Sequence, residues 1–155
     1  MRFCYSHLED YIKNLYLNIG ITQPEQINMK TIASRLNLKL LLVPFKSMCT
    51  GNLICIDARL RKEKQWQHFG HELCHALWHS GNQLGISPTF REYQEWKAIG
   101  FAYHMCVPTF MLDDIYLPNT YNDAAFIVSK MFNVEYEFAF KRIENYMSRE
   151  LLYSS

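Results

Sequence analysis

The sequence predicts an α+β fold, mainly helical with a small antiparallel β-sheet, and three observations carry that prediction. Apolar residues recur at three and four positions over residues 7–19 (Leu8, Tyr11, Ile12, Leu15, Tyr16, Ile19), the period of an amphipathic helix that ends at Gly20. Two short apolar runs, residues 38–45 and 52–57, are separated by a turn region carrying Gly51 and read as strands of a hairpin. Every later segment has helical rather than alternating patterning, so the strands form one small layer against helices.

The elements follow in order. Pro24 interrupts the chain after the first helix, and Ile27, Ile32, Ala33 and Leu36 mark a second, shorter one. Residues 29–36 resemble the first half of a helix-turn-helix, but strands follow where a recognition helix would be needed. A third helix spans residues 61–79, with Trp66, Phe69, Leu73, Leu77 and Trp78 as its apolar surface and Ser80-Gly81-Asn82 as its stop. A loop with Gly85 and Pro88 precedes a helix over residues 90–106, closed by Pro108. Residues 122–152 give two more helical patterns with a break near Asn133.

A chain of 155 residues with 49% apolar content is sized for a single domain, residues 1–155. Its formal charge of +1 lacks the basic excess that direct nucleic-acid binding or an anionic membrane surface requires. The N-terminus has no apolar signal core, and the longest apolar stretch, residues 101–112, contains His104 and Pro108 and cannot span a bilayer. Cytoplasmic localisation is the expectation. Five cysteines without a C-x-x-C pair indicate neither a disulfide framework nor a cysteine-based metal site. The aromatic content of 15%, without interleaved basic residues, reads as core and protein-interface surface rather than base-stacking surface.

Within the third helix, His71-Glu72-Leu73-Cys74-His75 has the spacing H-E-x-x-H. Histidines four apart lie on one helical face about one turn from each other and can offer imidazole nitrogens to the same ion. Glu72 is rotated to the side of that face, where a carboxylate reaches water at the metal without binding the metal, the position of a general base. Cys74 precedes His75 by one residue and so faces about 100° away, which makes it a buried thiol rather than a ligand or nucleophile.

A catalytic zinc takes three protein ligands and keeps one position open. His79 lies roughly 6 Å further along the helix axis than His75 and cannot share its ion. Of the carboxylates on the following helix, Glu92 and Glu95 share a face, and either could be a solvated surface acid. Glu95 is favoured, because Ala98 and Ala102 continue its face as a smooth stripe that lets the motif helix approach.

These residues together resemble the ImmA/IrrE family of zinc metallopeptidases. Gln67-His68-Phe69-Gly70-His71-Glu72-Leu73-Cys74-His75, then Glu95-Trp96-Lys97-Ala98, then Phe101-Ala102 leading to Val107-Pro108, is similar to the family's H-E-x-x-H, E-x-x-A-N/D and F-A segments, and residues 125–134 are similar to its C-terminal flank. The wording around the motif is closest to short prophage-encoded members. The resemblance implies a zincin-like fold, a Zn2+ cofactor held by His71, His75 and Glu95, and Glu72 as general base. It also implies a protein substrate, a helix-turn-helix repressor of a phage or mobile element, inactivated by site-specific cleavage. Ile99 departs from the pattern, standing where the family has Asn or Asp. In related zincins that residue hydrogen-bonds a ligating histidine, and such contacts typically change affinity or activity by about 10- to 100-fold. The alternative expectation is therefore a weak or inactive zincin-fold regulator that binds a repressor without cleaving it. Tyr93, Tyr103 and His104 are candidate oxyanion donors, and residues 52–57 a candidate strand for pairing with an extended substrate.

Overall fold

The computed structural model describes residues 4–78 and 87–153, and the chain divides into two compact units, residues 28–103 and residues 1–27 with 104–155. No described helix is long and apolar enough to cross a membrane.

The unit of residues 28–103 follows α1 (His7–Asn18) of the other unit in the chain and opens with α2 (Met29–Arg35), capped by Asn28, whose side chain accepts from the N–H groups of Lys30 and Thr31. It leads into β1 (Lys39–Val43), not into a recognition helix. Two further strands, β2 (Met48–Thr50) and β3 (Leu53–Asp57), complete a sheet of order β1-β3-β2.

The α+β class holds, but the sheet is mixed. The two apolar runs expected to form a hairpin, now β1 and β3, pair in parallel, Lys39 opposite Leu53 and Val43 opposite Asp57. The hairpin is instead β2–β3, antiparallel with Thr50 opposite Leu53. Gly51, at φ 56°, takes the positive φ that a two-residue hairpin loop demands. The short strand β2 carries no continuous apolar run, so periodicity alone assigns the segment to the turn. Its insertion reverses the direction of β3 relative to that expectation. As the central strand β3 is buried from Ile54 to Asp57, with Ile54 and Ile56 fully covered. Against this sheet packs α3 (Lys62–Trp78), burying Phe69, Leu73 and Cys74. The expected stop at Ser80-Gly81-Asn82, and His79, lie outside the described residues. Then α4 (Pro88–Cys106) begins at Pro88, which serves as a first-turn residue rather than a loop residue. Ala98, Phe101 and Ala102 are buried, and Trp78 meets Phe101 edge to face at 5.1 Å.

The other unit contains α1 (His7–Asn18), a 3-10 turn at Pro24–Gln26, α5 (Thr109–Leu112), α6 (Tyr121–Phe132) and α7 (Tyr136–Tyr153). A capping box fixes the start of α1: Ser6 Oγ accepts from the Glu9 N–H, and the Ser6 N–H donates to Glu9 at 2.7 Å. Asn133, at φ 56°, ends α6 in the left-handed region and produces the break read from the sequence. Here Glu9 also accepts from Arg149 and from the Thr109 hydroxyl at 3.0 Å. Thr109 in turn accepts from the fully buried Arg142 at 2.7 Å, whose Nε donates to the Val107 carbonyl. This ionic network ties α1, α5 and α7 together, in a unit whose buried apolar residues include Ile12, Tyr16 and Ile143.

Candidate metal centre

Two helices of one unit supply the site. Period 3.6 puts His71 and His75 one above the other on α3, their ring centroids 5.1 Å apart. Opposite them on α4 stands Glu95, on a face that the buried small residues Ala98 and Ala102 continue. One carboxylate then meets both imidazoles: Oε2 of Glu95 is 2.9 Å from Nε2 of His71 and Oε1 is 2.8 Å from Nε2 of His75. The ligand atoms of these three residues all lie within 4.8 Å of one another, as a common cation requires.

The electrostatics suit such an ion. Burial, outweighing the nearby Glu95 carboxylate, holds the His75 pKa below the ordinary imidazole value, so the ring is neutral and keeps a lone pair. Burial and the like charge of Glu95 push the Glu72 carboxyl up to about 7, with Lys46 opposing them. The donor set, two imidazoles and a carboxylate, is one that zinc accepts with a position left open.

Each residue singled out from the sequence can now be placed. His71, His75 and Glu95 are brought together, and half-buried Glu72 follows His71 on α3. Glu92 is exposed, one turn from Glu95 and outside the cluster. Cys74 is buried with its thiol pushed up to about 12 by desolvation, and it stands outside the cluster. Tyr93 stands in an exposed ladder with Phe90 and Trp96, successive rings 6.4 Å apart, and Lys97 Nζ lies 5.3 Å from its centroid. His104 belongs to the other unit. The strand of residues 52–57 is central and paired on both sides, so it cannot accept a substrate strand; β2 is the edge on the α3 side. Ile99, half exposed on α4, forms no hydrogen bond through its side chain.

One component was missed. The connector between β1 and β2 returns to α3, where Ser47 Oγ lies 3.1 Å from His68 Nδ1 and accepts from the Asp57 N–H at 2.9 Å. That anchor brings the Lys46 ammonium and Cys49 of β2 within electrostatic reach of Glu72, and burial together with Glu72 pushes the Cys49 thiol up to about 11. His68, one turn before Glu72 on the same face, was the available signal.

The fold and the cluster define a zincin-like member of a metallopeptidase family. The chain belongs to the peptidase family described as the IrrE N-terminal-like domain, whose pattern matches residues 24–144. It is 41% identical over 150 residues to the "Uncharacterized protein YqaB" of Bacillus subtilis (strain 168), covering 94% of this chain and 87% of that protein. It is also 41% identical over 152 residues to the "Phage-like element PBSX protein XkdA" of the same organism, covering 94% of this chain and 75% of the relative.

Proposed function

We propose that the protein is a zinc endopeptidase that cleaves a helix-turn-helix repressor of a phage or mobile element in the bacterial cytoplasm. The observation that carries the reading is the single Glu95 carboxylate meeting both imidazoles beside Glu72. His71, His75 and Glu95 would hold the ion. When bound, zinc lowers the pKa of a water toward about 7 and polarises the scissile carbonyl. Glu72 takes the proton of the attacking water and returns it to the leaving amine. A carboxyl pushed up to about 7 exchanges protons readily near neutral pH, as that double role demands. Edge strand β2 supports the reading further, since an extended peptide can pair there beside α3. Five free thiols suit a reducing compartment. The mobile-element setting takes its support from the relative named for phage-like element PBSX, and the repressor as target follows from the family resemblance alone.

The test is incubation with the repressor encoded beside this protein, with and without chelator. A defined cut that chelator abolishes and zinc restores is expected. An intact repressor that nevertheless binds the protein would favour the second reading, a non-cleaving regulator, which rests on Ile99 lacking any group to orient an imidazole.

A further inference from the structure

On α4, immediately beside the cluster, lies an open concavity of about 410 Å³ lined by Pro88, Arg91, Glu92, Glu95, Trp96 and Ile99. Its composition is unusual for a helix surface facing water. Trp96 is 70% exposed and Ile99 50%, and they sit one and four residues after Glu95, which meets both histidines. Scattered exposed apolar residues need no explanation, but here two large ones share a concavity with a residue of the metal cluster.

We infer that Trp96 and Ile99 form a specificity subsite that takes a large apolar side chain, aromatic or branched aliphatic, next to the scissile bond of the protein substrate. The inference rests on the proposed hydrolysis and deepens it. A carbonyl held at the cluster places the adjacent side chain of an extended peptide within about one residue spacing, roughly 3.3 Å, along the chain. Because Glu95 belongs to both the cluster and the concavity, this wall adjoins the point where a scissile carbonyl would be held. The wall offers an indole face and a branched aliphatic group, which favour an apolar partner over a charged one. Pro88 adds apolar surface at the start of α4, and Arg91 and Glu92 supply opposite charges, so that the net sign of the concavity is that of the Glu95 carboxylate, which disfavours an acidic side chain. Ile99 thereby acquires a role: the position that departs from the family pattern contributes apolar lining where an amide or carboxylate would leave a polar group. Both are specificity residues rather than catalytic ones.

The experiment has two arms on the full chain. In the first, Glu72→Gln protein with zinc is titrated with blocked hexapeptides identical except for one residue, Phe, Leu, Ala or Asp, and the indole N–H resonance of Trp96 is followed. The Phe and Leu peptides are expected to move it with affinity about tenfold or more above the Ala and Asp peptides. Ile99→Ser should shrink that preference to about threefold or less. A Trp96 resonance that does not move, or moves equally for all four peptides, overturns the subsite. In the second arm, zinc-loaded wild type, Trp96→Ala and Ile99→Ser digest a peptide library, and the cut sites are sequenced. Enrichment of large apolar residues at one flanking position, relaxed in both variants with KM affected more than kcat, supports it. Cleavage whose preference neither variant changes overturns it while leaving hydrolysis standing. Peptide discrimination in the first arm with no cleavage in the second sinks hydrolysis and leaves the subsite. A concentration-dependent dimer lost in Trp96→Ala would assign the face to a second copy of the chain and overturn the subsite. The exposure of both side chains keeps these variants folded.

Discussion

Glu9→Gln removes one charge from a buried network while keeping its shape, and the structure sets the size of the effect. Glu9 is 4% exposed, and that burial by itself would raise its pKa. The Arg149 guanidinium, the Ser6 N–H and the Thr109 hydroxyl outweigh it and hold the carboxyl down to about 2, against an ordinary 4.5. At about 1.4 kcal/mol per pH unit, that gap is worth at most about 3 kcal/mol of stability at neutral pH. The sign follows from the depressed value: the contribution is complete above the unfolded-state pKa and disappears as the pH falls through the folded one. Glu9→Gln should therefore be less stable than wild type by up to about 3 kcal/mol at pH 7, by less than half of that near pH 3, and by almost nothing near pH 2. All three tryptophans lie in the other unit, so amide exchange of Ile12, Leu15 and Ile143, at each pH, is the suitable readout. A difference that stays the same between pH 7 and pH 3, or never exceeds about 0.5 kcal/mol, refutes the reasoning.

Other outcomes follow from the same coordinates. Arg142→Ala leaves Thr109 and the Val107 carbonyl without their buried donor and should cost about 3–5 kcal/mol, measured by urea unfolding. Asn133→Ala forces a β-carbon without amide compensation into the left-handed region and should destabilise by about 1 kcal/mol, whereas Asn133→Gly should be neutral or stabilising. In the folded protein a thiol reagent should label exposed Cys4 and spare Cys55, Cys74 and Cys106, as mass spectrometry of the peptides will show. Glu95→Ala should weaken zinc binding by more than about 100-fold and Glu92→Ala by less than about threefold in a calorimetric titration, since Glu95 meets both histidines and Glu92 lies outside the cluster.

The longer helices were legible because their information is local: period 3.6 from His7 onward and Asn133 as a stop are each written within a few residues, whereas the four-residue α5 is too short to show a period. The metal cluster was legible for a related reason. His71 and His75 share one helix turn, and the small residues Ala98 and Ala102 lie at three and seven positions after Glu95, on the face that carries it. Strand pairing was not legible, because β1 and β3 make the same apolar signal in parallel as in antiparallel pairing, and what decides between them is a strand with no run of its own, Met48–Thr50. The approach of Lys46 to Glu72 and the ion network of Glu9 with Arg149 depend on contacts between residues far apart in sequence, beyond any periodicity. The exposed face of Trp96 and Ile99 escaped for another reason: a helix position says nothing about whether a neighbouring element covers it.

The central claim, a zinc ion held by His71, His75 and Glu95 with Glu72 as the proton carrier, is tested most directly by measuring zinc content and repressor cleavage together in Glu72→Gln. The account predicts one zinc per chain, as in wild type, with cleavage reduced by at least about 100-fold. Undiminished cleavage by that variant, or zinc lost with Glu72 and retained in Glu95→Ala, would contradict it.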